Sequence, residues 1–292
     1  MNAGSLEAPL PSTPTGGRVN RWRRHGALYA GGAILVLFGI VILFAHVIAP
    51  IDPQAIATRA RLRPPSAEYW FGTDRLGRDV FSRIVFGTSA SLAVGLAVAG
   101  LSAALGVVLG LIAGAVRGVD GIIMRCLDAI MAVPGILIAI AAISVASPSI
   151  TTVVLALGVN EMPRVARLVR GIVLSLREEP FVEAAFVLGS PRWRIVLGHM
   201  LPGVVAPLAV LTTHIAASAM LLEATLSFLG CGLPPDVPTW GNIMADGRIL
   251  FRVAPWIILF PGMTLSIAVL AINLFGDGLR DLLDPRASIH EA

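Results

Sequence analysis

The chain of 292 residues is 56% hydrophobic and only 14% charged, with a formal net charge of +4. That balance, together with a mean hydropathy of +0.82, excludes the soluble globular class and points to a membrane protein. All 22 basic residues are arginine, which excludes a GxxxxGK[ST] phosphate-binding loop and Schiff-base chemistry on lysine. A pI of about 10.0 would suit nucleic acid, but the arginines are scattered at the ends of apolar runs, so no nucleic-acid partner is expected.

Residues 1–26, rich in Pro, Gly, Ser and Thr, read as a disordered tail whose RVNRWRRH end anchors it at the membrane face. A helix needs roughly 20 apolar residues to cross the hydrocarbon, and six such runs give an all-α, polytopic helical bundle. The first, Ala27 to Ile48, carries His46. It has no small-residue cleavage signature and is long for a signal-peptide core, so it is expected to be retained. The positive-inside rule places the amino terminus in the cytoplasm, and six spans return the carboxyl-terminal tail, 277–292, to the same side. Eight arginines then fall outside: Arg59, Arg61, Arg63, Arg75, Arg78, Arg83, Arg248 and Arg252. The extracytoplasmic loop, 49–89, holds most of them beside Asp52, Glu68, Asp74 and Asp79, with which local pairing is expected. Part of this loop, around Trp70, Phe71 and TDRLGRD, is expected to lie as an interfacial helix against a partner; Trp70 could equally be a simple membrane anchor.

Residues 90–276 read as a five-helix core. Ala90 to Val116 presents Gly106, Gly110 and Gly114 on one face, a small-xxx-small pattern that admits a neighbouring helix closely. Gly121 to Val145 carries Arg125 and Asp128, spaced to pair, then a kink at Pro134-Gly135. Ile150 to Val169 is interrupted by Glu161 and Pro163, and Arg164, Arg167 and Arg170 mark its exit toward the cytoplasm. Gly203 to Leu229 contains His214, read like His46 as a packing residue. It also contains Glu223, which either faces a translocation path or reaches the outer water. Pro255 to Phe275 closes the set. Cys126 and Cys231 imply no disulfide framework, and no His/Cys/Asp/Glu cluster has metal-ligand spacing.

The most telling stretch lies between the fourth and fifth spans, in EEPFVEAAFVLGSPRWRIVLGHMLP from Glu178 to Pro202. Phe181, Ala184, Ala185 and Leu188 share one helix face, and Val182 and Phe186 make the other side apolar too. Pro180 suits a first helical turn and Gly189 a helix stop; Ser190-Pro191 reads as an N-cap and first residue of a second helix. A helix apolar all round is normally buried, and this loop offers nothing of its own to bury it. A groove on another protein is the economical reading; a helix lying on the bilayer is the alternative.

These residues resemble the permease subunits of binding-protein-dependent ABC importers. Glu183-Ala184-Ala185, Gly189 and Leu201-Pro202 match the pattern EAA-x3-G-x11-LP, with His199 standing where isoleucine is preferred. The segments from Phe71 to Gly87, Leu226 to Met244 and Asn273 to Arg286 are similar to the second (C-type) permease of the dipeptide, oligopeptide and nickel branch. The resemblance implies a type I ABC importer permease fold in the inner (cytoplasmic) membrane. It also implies a heterodimer with a homologous permease, two ABC ATPase subunits and an extracytoplasmic solute-binding protein. Glu183, Ala184, Ala185 and Gly189 would form the coupling helices, at about 178–200, that dock on the ATPase. ATP and Mg would be bound by those ATPase subunits, and no cofactor and no catalytic residue is expected in this chain. The cargo implied is a di- or oligopeptide, with nickel or another small solute as the alternative.

Two other classes compete. An ion-coupled carrier would use Glu161, Glu223 and Asp128, but no internal repeat supports it and it has no use for an apolar cytoplasmic helix pair. An intramembrane enzyme would need a Ser/His, GxSxG or HExxH arrangement at membrane depth, and none supports it there.

Overall fold

A computed structural model describes residues 21–116 and 118–283. Residues 1–20, Arg117 and residues 284–292 lie outside the described residues, and with them most of the expected amino-terminal tail and the end of the carboxyl-terminal one.

The first helix, α1 (Arg21–Leu43), begins inside the basic stretch expected to be tail, and a short α2 (Ala45–Ile48) follows it. Residues 49–79 contain a single 3-10 turn, Thr58–Ala60, and no interfacial helix. α3 (Val80–Ala115) starts at Val80 rather than Ala90, because Asp79 caps it: its carboxylate accepts from the Ser82 amide. Its 36 residues make a rod about 54 Å long, well beyond the roughly 30 Å of hydrocarbon. The expected kink at Pro134-Gly135 is a sharp break, with α4 (Asp120–Met131) and α5 (Gly135–Ala146) meeting at 80°. Proline supplies no amide to continue the ladder there.

α6 (Ile150–Leu176) runs straight through Pro163 and past the exit expected at Val169. Two short helices follow, α7 (Pro180–Val187) and α8 (Arg192–Ile195). A π-helical turn, Val196–Met200, joins α8 directly to α9 (Leu201–Phe228). α10 (Trp240–Gly247) and α11 (Trp256–Leu283) complete the chain. Among the described residues four helices can cross a membrane by length and hydropathy, or five if the bent α4–α5 pair counts as one. The count of six is therefore not reached by that measure; α6 falls outside it, its apolar run broken by Glu161, Arg164, Arg167 and Arg170.

The glycine stripe of α3 receives α6. A Cβ on Gly106 would stand 2.5 Å from Val165 Cβ, and one on Gly110 2.6 Å from Val169 Cβ. Small residues thus bring the two backbones together where any side chain would hold them apart. α9 packs on α3 as well, with Gly95 against Met220, and Gly31 and Gly278 let α1 and α11 approach each other closely.

The intramembrane charges pair differently from expectation. Asp128 bonds Arg167 of α6 at 2.5 Å rather than Arg125, which stands exposed on α4. Arg170 grips Asp120 through two bonds, and Arg164 pairs with Glu161 at 2.9 Å. Arg167 and Arg170 thus tie α6 to α4, Arg164 pairs within α6, and the helix itself continues to Leu176. Glu223 does not reach water: it is 1% exposed, and the Ser227 hydroxyl donates to it at 2.7 Å. His46 lies edge-on to Phe86, whereas His214 is half-exposed, 3.8 Å from Asp277, rather than packed.

At the end of the bundle where α3 begins, α10 seals the helices. Trp240 is fully buried and donates from its indole to the Ile84 carbonyl. Residues 69–74 lie over it, with Phe71 stacked on Phe260 and the Trp256 indole bonded to the Thr73 carbonyl. Trp70 stays 62% exposed with its ring against Phe81. The expected local pairing forms at Arg63 with Glu68 and at Arg78 and Arg83 with Asp74, and Arg75, Arg78 and Arg83 also reach Asp246, far away in sequence.

Candidate functional site

At the opposite end of α3, helices α7 and α8 form the bent pair read from the sequence. α7 opens with Pro180 at its first turn and Glu179 at the N-cap position. Glu178, Glu179 and Glu183 cluster at this end, where the helix dipole favours negative charge. It closes in a Schellman motif: the Ser190 amide bonds the Ala185 carbonyl and the Gly189 amide the Phe186 carbonyl. Gly189 adopts φ +77°, the left-handed conformation that a glycine takes without penalty. Ser190 does not cap α8; Pro191 occupies that position, one residue later, and no side chain caps the helix.

The pair is not wholly unpartnered, and this corrects the expected face. Val182 and Ile195 are fully buried and Ala185 nearly so, joined to the main core beside Val173, Met200 and Val204. Phe181, Ala184 and Leu188, on the face expected to meet a partner, are exposed, whereas Ala185 of that same face turns into the core. Phe181, Phe186 and Trp193 remain partly exposed, and Val187 and Leu188 are more than four-fifths exposed. One face thus fixes α7 to its own bundle while the other presents an apolar surface.

Beneath α7 lies a cavity of about 480 Å³ between the last residue of α3, Ala115, and the exit of α6. Arg177, Glu178, Glu183, Phe186, Arg192, Val196 and Met200 line the rest of it. The ring of Phe181 stacks near His199, at a centroid distance of 6.4 Å, tying α7 to the π turn. His199 therefore sits where the helix ladder is widened, the one position at which the sequence departs from the EAA pattern.

Residues 106–289 match the family described as "Binding-protein-dependent transport system inner membrane component". The chain belongs to this family. This ABC permease is 46% identical over 265 residues to a "Probable peptide ABC transporter permease protein" of Sinorhizobium fredii, with 91% of each chain covered. It is 38% identical over 297 residues to the "Dipeptide transport system permease protein DppC" of Alkalihalophilus pseudofirmus, covering 98% of both. The "Glutathione transport system permease protein GsiD" of Escherichia coli is 40% identical over 268 residues, 91% of this chain and 88% of that one. The permease is a helical, multi-pass membrane protein and a transport subunit, in line with its apolar helices.

Of the four residues singled out in the sequence, Glu183, Ala184 and Gly189 are accessible to a partner, whereas Ala185 faces the permease's own core. Arg177 and Arg192 join Glu183 at the cavity without having been singled out. No periodicity could have marked them, since only the fold of α7 back over the ends of α3 and α6 brings them together.

Proposed function

We propose that this permease forms half of the translocation path of an ATP-driven importer of di- or oligopeptides, and that α7 couples it to a separate ATPase. The carrying observation is the two-faced α7: buried Val182 and Ala185 lock it to the bundle, while Phe181, Phe186, Val187 and Leu188 stand in the open. An exposed apolar face of this kind suits the helix-in-groove mode, with Glu183 exposed for a basic group on the partner. The absence of lysine is consistent with ATP and Mg being held by ATPase subunits and not by this chain.

In this reading the second half of the path is a homologous permease, two ATPase subunits bind from the cytoplasm, and a solute-binding protein delivers cargo from outside. Both termini lie in the cytoplasm. Closure of the ATPase pair on ATP displaces α7, and α3, α6 and α9, packed together, follow as a unit between inward and outward access. A peptide cargo is supported by the cargoes for which the similar permeases are named: peptide, dipeptide and glutathione.

The test is uptake of labelled dipeptides by the reconstituted complex with and without ATP, alongside crosslinking from Glu183→Cys. The expected result is ATP-dependent uptake and a crosslink to the ATPase. A Glu183→Cys that crosslinks only to lipid or to this chain during turnover would overturn the coupling role.

A further inference from the structure

The TDRLGRD run and the segment WGNIMADG find a joint use in the fold. Asp74 is fully buried and Arg83 1% exposed. One Asp74 oxygen accepts from Arg78 Nε at 2.6 Å and from Arg83 Nη1 at 2.8 Å. Its other oxygen accepts from the amides of Leu76 and Arg78, at 2.8 and 2.9 Å. Asp246, on α10, accepts from Arg78 Nη2 at 2.7 Å and Arg83 Nη1 at 2.8 Å, and Arg75 lies 3.1 Å from its second oxygen. Three cations and two anions therefore form one connected cluster, and every carboxylate oxygen in it has a partner.

The cluster joins three elements that are distant in sequence: the segment 58–79, the first turns of α3, and α10. Arg83 belongs to α3, whose last residue, Ala115, lines the same cavity as Glu183 of α7. Along its length α3 is held to α6 by the contacts at Gly106, Gly110 and Gly114. A single unbroken rod thus runs from the exposed α7 module to the ion cluster.

We propose that Asp74, Arg78, Arg83 and Asp246 form a latch that fixes the segment 58–79 and α10 to the head of α3, so that displacement of α7 is transmitted to the far mouth of the path. Asp246 is a positioning residue in this device: it alone connects α10 to all three arginines. The inference rests on the importer reading for its functional consequence, but the latch itself does not. Without the Asp246 charge, the buried Arg83 and the largely buried Arg78 share one aspartate, the half-exposed Arg75 loses its partner, and the segment 58–79 loosens from α10.

The test uses the full complex of permeases, ATPases and binding protein. Ala60, 4% exposed and bonded through its carbonyl to the Thr73 hydroxyl, serves as a reporter of loosening. Ala60→Cys, in a Cys126→Ser/Cys231→Ser background, is labelled in detergent with a hydrophilic maleimide. Asp246→Asn is expected to speed labelling about fivefold or more, a shift of the size given by 1 kcal/mol of opening. Labelled dipeptide moved per ATP hydrolysed is expected to fall about tenfold, while Asp246→Glu restores it. That ratio separates uncoupling from simple loss of folded protein, which lowers uptake and hydrolysis together. If Asp246→Asn does not assemble, Arg83→Met/Asp246→Asn leaves Asp74 and Arg78 balanced and is read in the same way. Labelling and coupling ratios at the wild-type level in these variants would overturn the latch. A wild-type complex with no ATP-dependent uptake would overturn the importer reading instead, and the labelling rates would still decide the latch.

Discussion

At Gly189 the open space and the backbone make opposite demands. A Cβ there would meet nothing within 4 Å, yet φ is +77°, so a substitution is costly through the backbone alone, by about 1–2 kcal/mol for an ordinary residue. Asparagine visits this conformation more readily and serves at helix ends in the same role. Gly189→Asn is therefore expected to retain most dipeptide uptake and Gly189→Val to lose most of it, as measured in cells with equal complex levels. Failure of both would instead assign Gly189 to direct contact with the partner, where any side chain intrudes. The glycine stop was legible in the sequence because αL positions leave a residue-type signature. The inward position of Ala185 was not, since Phe181, Val182, Ala184, Ala185, Phe186 and Leu188 are apolar on every side of one short helix. Nor could the partners of Asp128 or Asp246 be read, because which cation meets which anion is decided by helices far apart in the chain.

Among the described residues the α3–α6 pair makes the bundle's most extensive helix–helix contact, and its chemistry is simple. Gly110→Val would drive a side chain to within 2.6 Å of both the Ala166 carbonyl and Val169 Cβ. Overpacking of this kind costs about 1–3 kcal/mol, so the Tm of the detergent-solubilised permease is expected to fall. Gly100, on the same helix, has nothing within 4 Å, and Gly100→Ala is expected to leave the Tm unchanged. This stripe was legible as a contact face, though its partner was not. Most apolar runs, too, were legible as helices, while their ends were not. Asp79 starts α3 early, and paired arginines carry α6 far beyond its apolar part.

For the molecule as a whole, the proposed orientation puts residues 50–79 and α10 outside and α7–α8 inside. In a Cys126→Ser/Cys231→Ser background, Thr58→Cys is expected to react with an impermeant maleimide on intact cells. Glu178→Cys is expected to react only after permeabilisation, and the reverse pattern would invert the topology. One more property follows from the continuous passage of α8 into α9 across the π turn at Val196–Met200. A π turn accommodates one residue beyond the α-helical count, and each residue swings what precedes it by about 100° around the axis. The compass bearing of Trp193 and of the exposed apolar face of α7 is thus set by a single widened loop of backbone around His199. Module exchange between related transporters would aim correctly only where that surplus residue travels with it.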